Sequence, residues 1–75
     1  MRAHVYWEKL TILTDEASMP PSYTVWYQDE VGQIVASEQG RDREQTIEAL
    51  YKNLACRGYS RSSLPKPEPF RTNNP

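Results

Sequence analysis

Residues 40–59 read GRDREQTIEALYKNLACRGY and spell one helix with a signal at each end. Asp42 can cap the start by accepting a backbone N–H, and Gln45 completes a capping-box pattern with it. Ile47, Leu50, Tyr51 and Leu54 recur at helical spacing and form a single apolar stripe. Gly58 suits the left-handed residue that ends a helix, and Tyr59 after it can fold back onto Leu54. Together these signals predict a helix from Arg43 to Arg57. No other stretch has this period, so the stripe has no second helix to receive it and must lie against a sheet.

Three strands precede it. HVYWEKLTIL, His4 to Leu13, is rich in β-branched and aromatic residues, which favour extended backbone. Alternation puts Val5, Trp7, Lys9, Thr11 and Leu13 on one face and Tyr6, Glu8, Leu10 and Ile12 on the other. TDEASMPPS follows, and its two prolines exclude regular helix or a central strand, leaving a loop. YTVWYQ, Tyr23 to Gln28, and QIVASEQ, Gln33 to Gln39, are joined by DEVG, where Gly32 is free to take positive φ and close a hairpin. The expected fold class is α+β: a three-stranded antiparallel meander sheet packed on one C-terminal helix, in the order β-β-β-α. Residues 1–59 form the expected domain. The remainder, SRSSLPKPEPFRTNNP over residues 60–75, is basic, polar and proline-rich, so a flexible tail is expected there. Its PKPEP run favours polyproline II, and Phe70 stands in it as a lone candidate docking aromatic.

One helix covers one face of a sheet, yet Tyr, Trp, Leu and Ile occur on both. Whichever face the helix takes, some of Tyr6, Leu10, Ile12 and Trp26, or of Trp7, Val25 and Tyr27, are left outward. A contiguous apolar patch of this kind usually marks an interaction surface, and Tyr and Trp dominate binding hot spots. Tyr6, Trp7, Trp26 and Tyr27 are therefore the candidate partner-binding residues. A domain of this length buries only about 60% of the surface its unfolded chain exposes, so a protein partner, foreign or a second copy, would add stability.

The net charge of −1 conceals a polarity. Residues 1–50 carry four basic against nine acidic side chains, and residues 51–75 carry five basic against one acidic. This distribution opens an alternative, a nucleic-acid-binding module using Arg41, Arg43, Lys52, Arg57 and Arg61, since basic side chains near a helix N-terminus can hold phosphate. The strands themselves carry only Lys9 as a countercharge to Glu8, Asp29, Glu30 and Glu38.

Catalysis is not expected. Cys56 lies two residues past Leu54, about 200° round the helix from the stripe, and His4 is the only histidine. One histidine and one cysteine do not supply a metal site of standard ligand spacing. The carboxylate pairs Asp15–Glu16 and Asp29–Glu30 fall in loops or turns. No cofactor, metal or small-molecule substrate is expected. A single cysteine makes no internal disulfide, and neither a signal-peptide run nor a membrane-length apolar window is present, so the expected location is cytoplasmic.

Two partial resemblances accompany this reading. YTVWYQDEVGQIVAS followed by GRDREQTIEAL resembles antitoxins of the Hic type, with Tyr23, Gly32, Val35, Ala36, Ser37, Gly40, Glu48 and Ala49 at the matching positions. That family carries an additional segment between the second strand and the glycine, and this chain adds an N-terminal strand. The stretch from Tyr23 to Leu54 is also similar to the arm-site DNA-binding domain of phage tyrosine integrases, a three-stranded sheet with one helix. Some of its members place a GRDR-like motif just before the helix, as at Gly40 to Arg43 here. Those domains are basic on the sheet, whereas this one is acidic, and no function is carried over from either family.

Overall fold

The structure, a computed structural model, describes residues 2–10 and 21–70. Its elements are β1 (His4–Leu10), β2 (Ser22–Gln28), β3 (Ile34–Gly40), α1 (Arg43–Cys56), a 3-10 turn at Arg61–Ser63, and β4 (Pro67–Pro69). The expected continuation of β1 to Leu13, most of the loop after it and the Asp15–Glu16 pair lie outside the described residues.

Strands β1, β2 and β3 form the antiparallel meander, with Tyr6 opposite Trp26 and Trp26 opposite Ser37. Asp29 closes the β2–β3 turn: its Oδ1 accepts the backbone N–H of Val31 at 3.0 Å and of Gln33 at 2.8 Å. Gly32 sits there at φ 92°, a conformation that side chains disfavour. The register shifts between Tyr27 and Gln28, which pair with Ala36 and Ile34, so Val35 forms a bulge.

Helix α1 begins and ends for the reasons its sequence gives. Asp42 is extended, and its Oδ1 accepts the Gln45 N–H at 3.0 Å. The Thr46 hydroxyl adds a bond to the Asp42 carbonyl at 2.6 Å. At the far end Gly58, at φ 101°, donates to the Ala55 carbonyl while Tyr59 donates to that of Leu54. These two bonds satisfy carbonyls that a helix end otherwise leaves unpaired.

The helix lies on the face that carries Val5, Val25, Tyr27 and Ala36. Its stripe of Ile47, Leu50, Tyr51 and Leu54 completes the core, and Val5, Val25, Leu50 and Leu54 are wholly buried. Full burial of one such side chain is worth about 1.5–3 kcal/mol, so these four hold much of a small domain's stability. Trp7, Tyr59 and Leu64 pack at the rim.

The expectation of a mobile tail beginning at residue 60 is corrected for residues 60–70. β4 pairs in parallel with β1, Glu68 opposite Tyr6, giving a four-stranded sheet of order β3-β2-β1-β4. The chain must travel from one edge of the sheet to the other to reach this place, and a parallel crossover of this kind needs a connecting element such as α1. The Tyr51 hydroxyl pins the return by donating to the Pro65 carbonyl at 2.7 Å. Phe70 N–H donates to the Trp7 carbonyl at 2.9 Å. Since successive N–H groups in a strand point to opposite edges, Pro67 and Pro69 occupy the two positions whose missing donors would have faced outward. The alternation read as polyproline II is thus also compatible with an edge strand.

Candidate functional site

The face opposite the helix is built by alternation. β1 contributes His4, Tyr6 and Leu10, β2 contributes Trp26, and β4 with its continuation contributes Glu68 and Phe70. Register makes Tyr6 and Trp26 a cross-strand pair and brings Glu68 beside Tyr6. The rings of Tyr6 and Trp26 lie 5.8 Å apart, and His4 stacks on Tyr6 at 5.0 Å. Phe70 meets both Tyr6, at 5.4 Å, and Trp26, at 5.2 Å, edge to face. That geometry aligns the positive edge of one ring with the negative face of another. His4 Nδ1 lies 2.9 Å from Glu68 Oε2, a second tie between β1 and β4.

Phe70 is what closes Trp26. The indole, on the face without a helix, is only 9% exposed, whereas Phe70 itself is 40% exposed. The cluster is therefore not a bare aromatic surface but a ridge with Phe70 and Tyr6 at its crest. Leu10 (44% exposed) and Ile34 (62% exposed) flank it on the same face by alternation and register.

The four candidate contact residues divide between the faces. Tyr6 and Trp26 come together on the open face, but the expectation of an outward Trp26 is corrected: Phe70, from the segment expected to be a free tail, lies 5.2 Å from its ring and the indole is buried. Trp7 and Tyr27 lie on the helix side, where Trp7 packs against the core and Tyr27 belongs to it. Trp7 neighbours Tyr23 at 6.2 Å and carries the Arg43 guanidinium over its ring at 4.8 Å. Tyr27 meets Tyr59 edge to face at 5.3 Å. Burial holds the Tyr27 hydroxyl above its usual pKa, helped by Tyr59, Glu30 and Asp29 nearby. Two residues of the site escaped the sequence reading, His4 and Glu68. Phe70 was visible as an aromatic anchor but without its partner surface. The available signal was the proline alternation around Glu68, which leaves Glu68 and Phe70 their N–H groups for a neighbouring strand.

The cations of the alternative do not converge. Arg41 and Arg43 flank the start of α1 and Arg57 its end, a separation of about 20 Å along a helix of this length. Arg43 pairs with Glu44 at 3.2 Å, and Arg57 donates to Asn53 Oδ1 at 2.8 Å. Arg61 donates to both Glu48 oxygens, one at 2.9 Å, and lies 4.8 Å above the Tyr51 ring. Lys52 is exposed on the outer side of α1. Burial raises the Tyr51 hydroxyl pKa, with Arg61 opposing and Glu48 adding to the shift.

Among the described residues no three His, Cys, Asp or Glu side chains gather into a metal-binding group. No helix among them is long and apolar enough to cross a membrane. Comparison with known protein families finds no match, and comparisons with curated proteins and with solved structures find none either.

Proposed function

We propose that this chain works without catalysis, as a small binding or regulatory module that holds a protein partner against the sheet face opposite α1. The observation that carries the reading is the ridge of Tyr6 and Phe70 over a buried Trp26, flanked by exposed Leu10 and Ile34, on the one sheet face the helix leaves open. Aromatic rings fixed by their neighbours lose little entropy on contact, which makes them efficient anchors. The nucleic-acid alternative has weaker support, because its five cations are spread over the molecule and Arg43, Arg57 and Arg61 already have side-chain partners.

Affinity purification from the native host, followed by titration of the captured protein, tests this. Tyr6→Ala and Phe70→Ala together should weaken the complex by at least about 2 kcal/mol, roughly 30-fold, while Lys52→Ala on the outer helix face leaves it unchanged. Far-ultraviolet circular dichroism confirms that each variant is folded. Undiminished capture by the folded double variant would reject the reading. A retention on duplex or single-stranded nucleic acid that falls steeply with salt would favour the alternative.

A further inference from the structure

Every buried apolar side chain among the described residues belongs to β1, β2, β3 or α1, and none of residues 61–70 is buried. The returning segment Arg61–Phe70 is therefore laid on a core to which it contributes no buried side chain. It starts on the helix side, where Arg61 reaches Glu48 and the Tyr51 hydroxyl holds the Pro65 carbonyl at 2.7 Å. It runs along the β1 edge as β4 and ends on the open face, where Glu68 meets His4 at 2.9 Å and Phe70 covers Trp26. The chain just before it is anchored differently. The Tyr59 N–H bonds the Leu54 carbonyl at 3.0 Å, and the Tyr59 ring meets that of Tyr27. A segment held by a few separate ties, with little apolar surface buried, opens at a lower free energy than the core beneath it.

We propose that Arg61–Phe70 is a strap that opens as one unit about Ser60 while the three-stranded meander and α1 stay folded, and that Tyr51 is the positioning residue that sets how often it opens. Closed, the strap puts Phe70 beside Tyr6 at the crest of the open face. Open, it withdraws Phe70, bares Trp26 and frees the backbone groups of the β1 edge. The same face thus has two surfaces, and anything that contacts only one of them shifts the balance. Tyr51 is rooted in the core on the helix side, so a change there is carried through Pro65 to the opposite face. What this means for a partner rests on the open-face reading: a partner that touches Phe70 selects the closed strap.

Native-state hydrogen exchange of the full chain, followed by NMR in low urea, tests the proposal. The Phe70 amide bonds the Trp7 carbonyl at 2.9 Å. It should be protected at least about tenfold less than the amides of Leu50 and Leu54, with little dependence on urea, since an opening strap exposes little surface. Tyr51→Phe removes only the hydroxyl and should speed Phe70 exchange roughly threefold to tenfold. Arg61→Ala, which breaks an exposed pair, should speed it about twofold. Val25→Ala removes core contacts present in both states, so it should speed Leu50 and Leu54 at least about tenfold and leave Phe70 unchanged. Phe70 exchange with the urea dependence of Leu50 would place the strap in the one cooperative unit and overturn the proposal. The unaltered chain decides that point even if Val25→Ala does not fold. Phe70 exchange that ignores Tyr51→Phe overturns it too, because Phe70 would then fray by itself. No partner enters these measurements, so their failure leaves the capture experiment standing, and a failed capture leaves them standing.

Discussion

The helix-covered face and the open face are made from the same three strands, and often from adjacent residues. Val25 and Tyr27 point into the core while Trp26 between them points the other way. On the first face a capped fourteen-residue helix supplies four apolar side chains to the core. On the second, closure comes from a three-residue strand and one phenylalanine ring. Aromatic residues on both faces thus meet different cover, because burial depends on what the chain has left to lay over each face. The first face holds the fold, and the second keeps Tyr6, Leu10 and Phe70 near solvent. Only a difference in what mutations do can establish that division of labour.

The sharpest contrast is with Leu50. It is fully buried beneath the sheet, and Leu50→Ala should cost about 2–5 kcal/mol through lost transfer energy and the cavity left behind. In a domain this small that loss approaches the whole stability. Urea or thermal melts followed by circular dichroism should show a protein unfolded, or close to it, at room temperature. A mild effect would mean the helix face is not the principal core.

Phe70→Ala is the matching change on the other face and should cost less, about 1–3 kcal/mol for two edge-to-face contacts. The fold should survive, but Trp26 should open. In a Trp7→Phe background, where Trp26 is the sole tryptophan, its emission should shift to longer wavelength and become more accessible to a neutral quencher. Unchanged fluorescence would mean that Phe70 does not cover the indole, and the explanation for its 9% exposure would fail.

Pro69→Ala probes the edge of the same closure. Greater freedom of the unfolded chain should lower stability by about 0.4–1 kcal/mol. The variant also regains an N–H on the outer edge of β4. Light scattering should therefore show association beyond that of the unaltered chain as concentration rises, since an unprotected edge templates further pairing.

The helix face was the legible one. Asp42, Gln45, Gly58 and the stripe through Leu54 act locally, within a few residues of one another, and the strands they imply follow from alternation. Which face the helix would cover was not legible, because Val5, Trp7 and Tyr27 and, opposite them, Tyr6 and Trp26 are equally good core material. Packing decides between them only once Ile47, Leu50 and Tyr51 have a fixed approach. The place of β4 was missed for a related reason. Its pairing partner β1 lies some sixty residues away in sequence, and nothing local in PKPEPF distinguishes an edge strand from a free polyproline segment. The split of Trp26 from Tyr27 was contained in the alternation, but Phe70 as the cover for Trp26 was a long-range fact.

The smallest effect concerns Glu48 and Arg61, which join the start of the returning segment to the outer side of α1. The Arg61 hydrogen bond holds the Glu48 carboxyl below its usual pKa, with a smaller contribution from Arg61 and Lys52 charge. Glu48 also raises the pKa of Arg61 in turn. Because the folded-state carboxyl is depressed, whatever stability the pair adds is present above the unfolded-state pKa. It is lost as pH falls through the lower, folded-state value. Both groups are exposed, so screening by water and salt keeps that contribution small at neutral pH, and a thermal melt is the wrong instrument. A carbon-detected NMR titration of Glu48 resolves it. The carboxyl should titrate below the ordinary glutamate range in the native chain, and Arg61→Ala should return it upward with little change in melting temperature. A titration already at the ordinary value would mean that the pair does not hold in solution. The return of the chain toward β4 would then depend on Tyr51 and its bond to Pro65 instead.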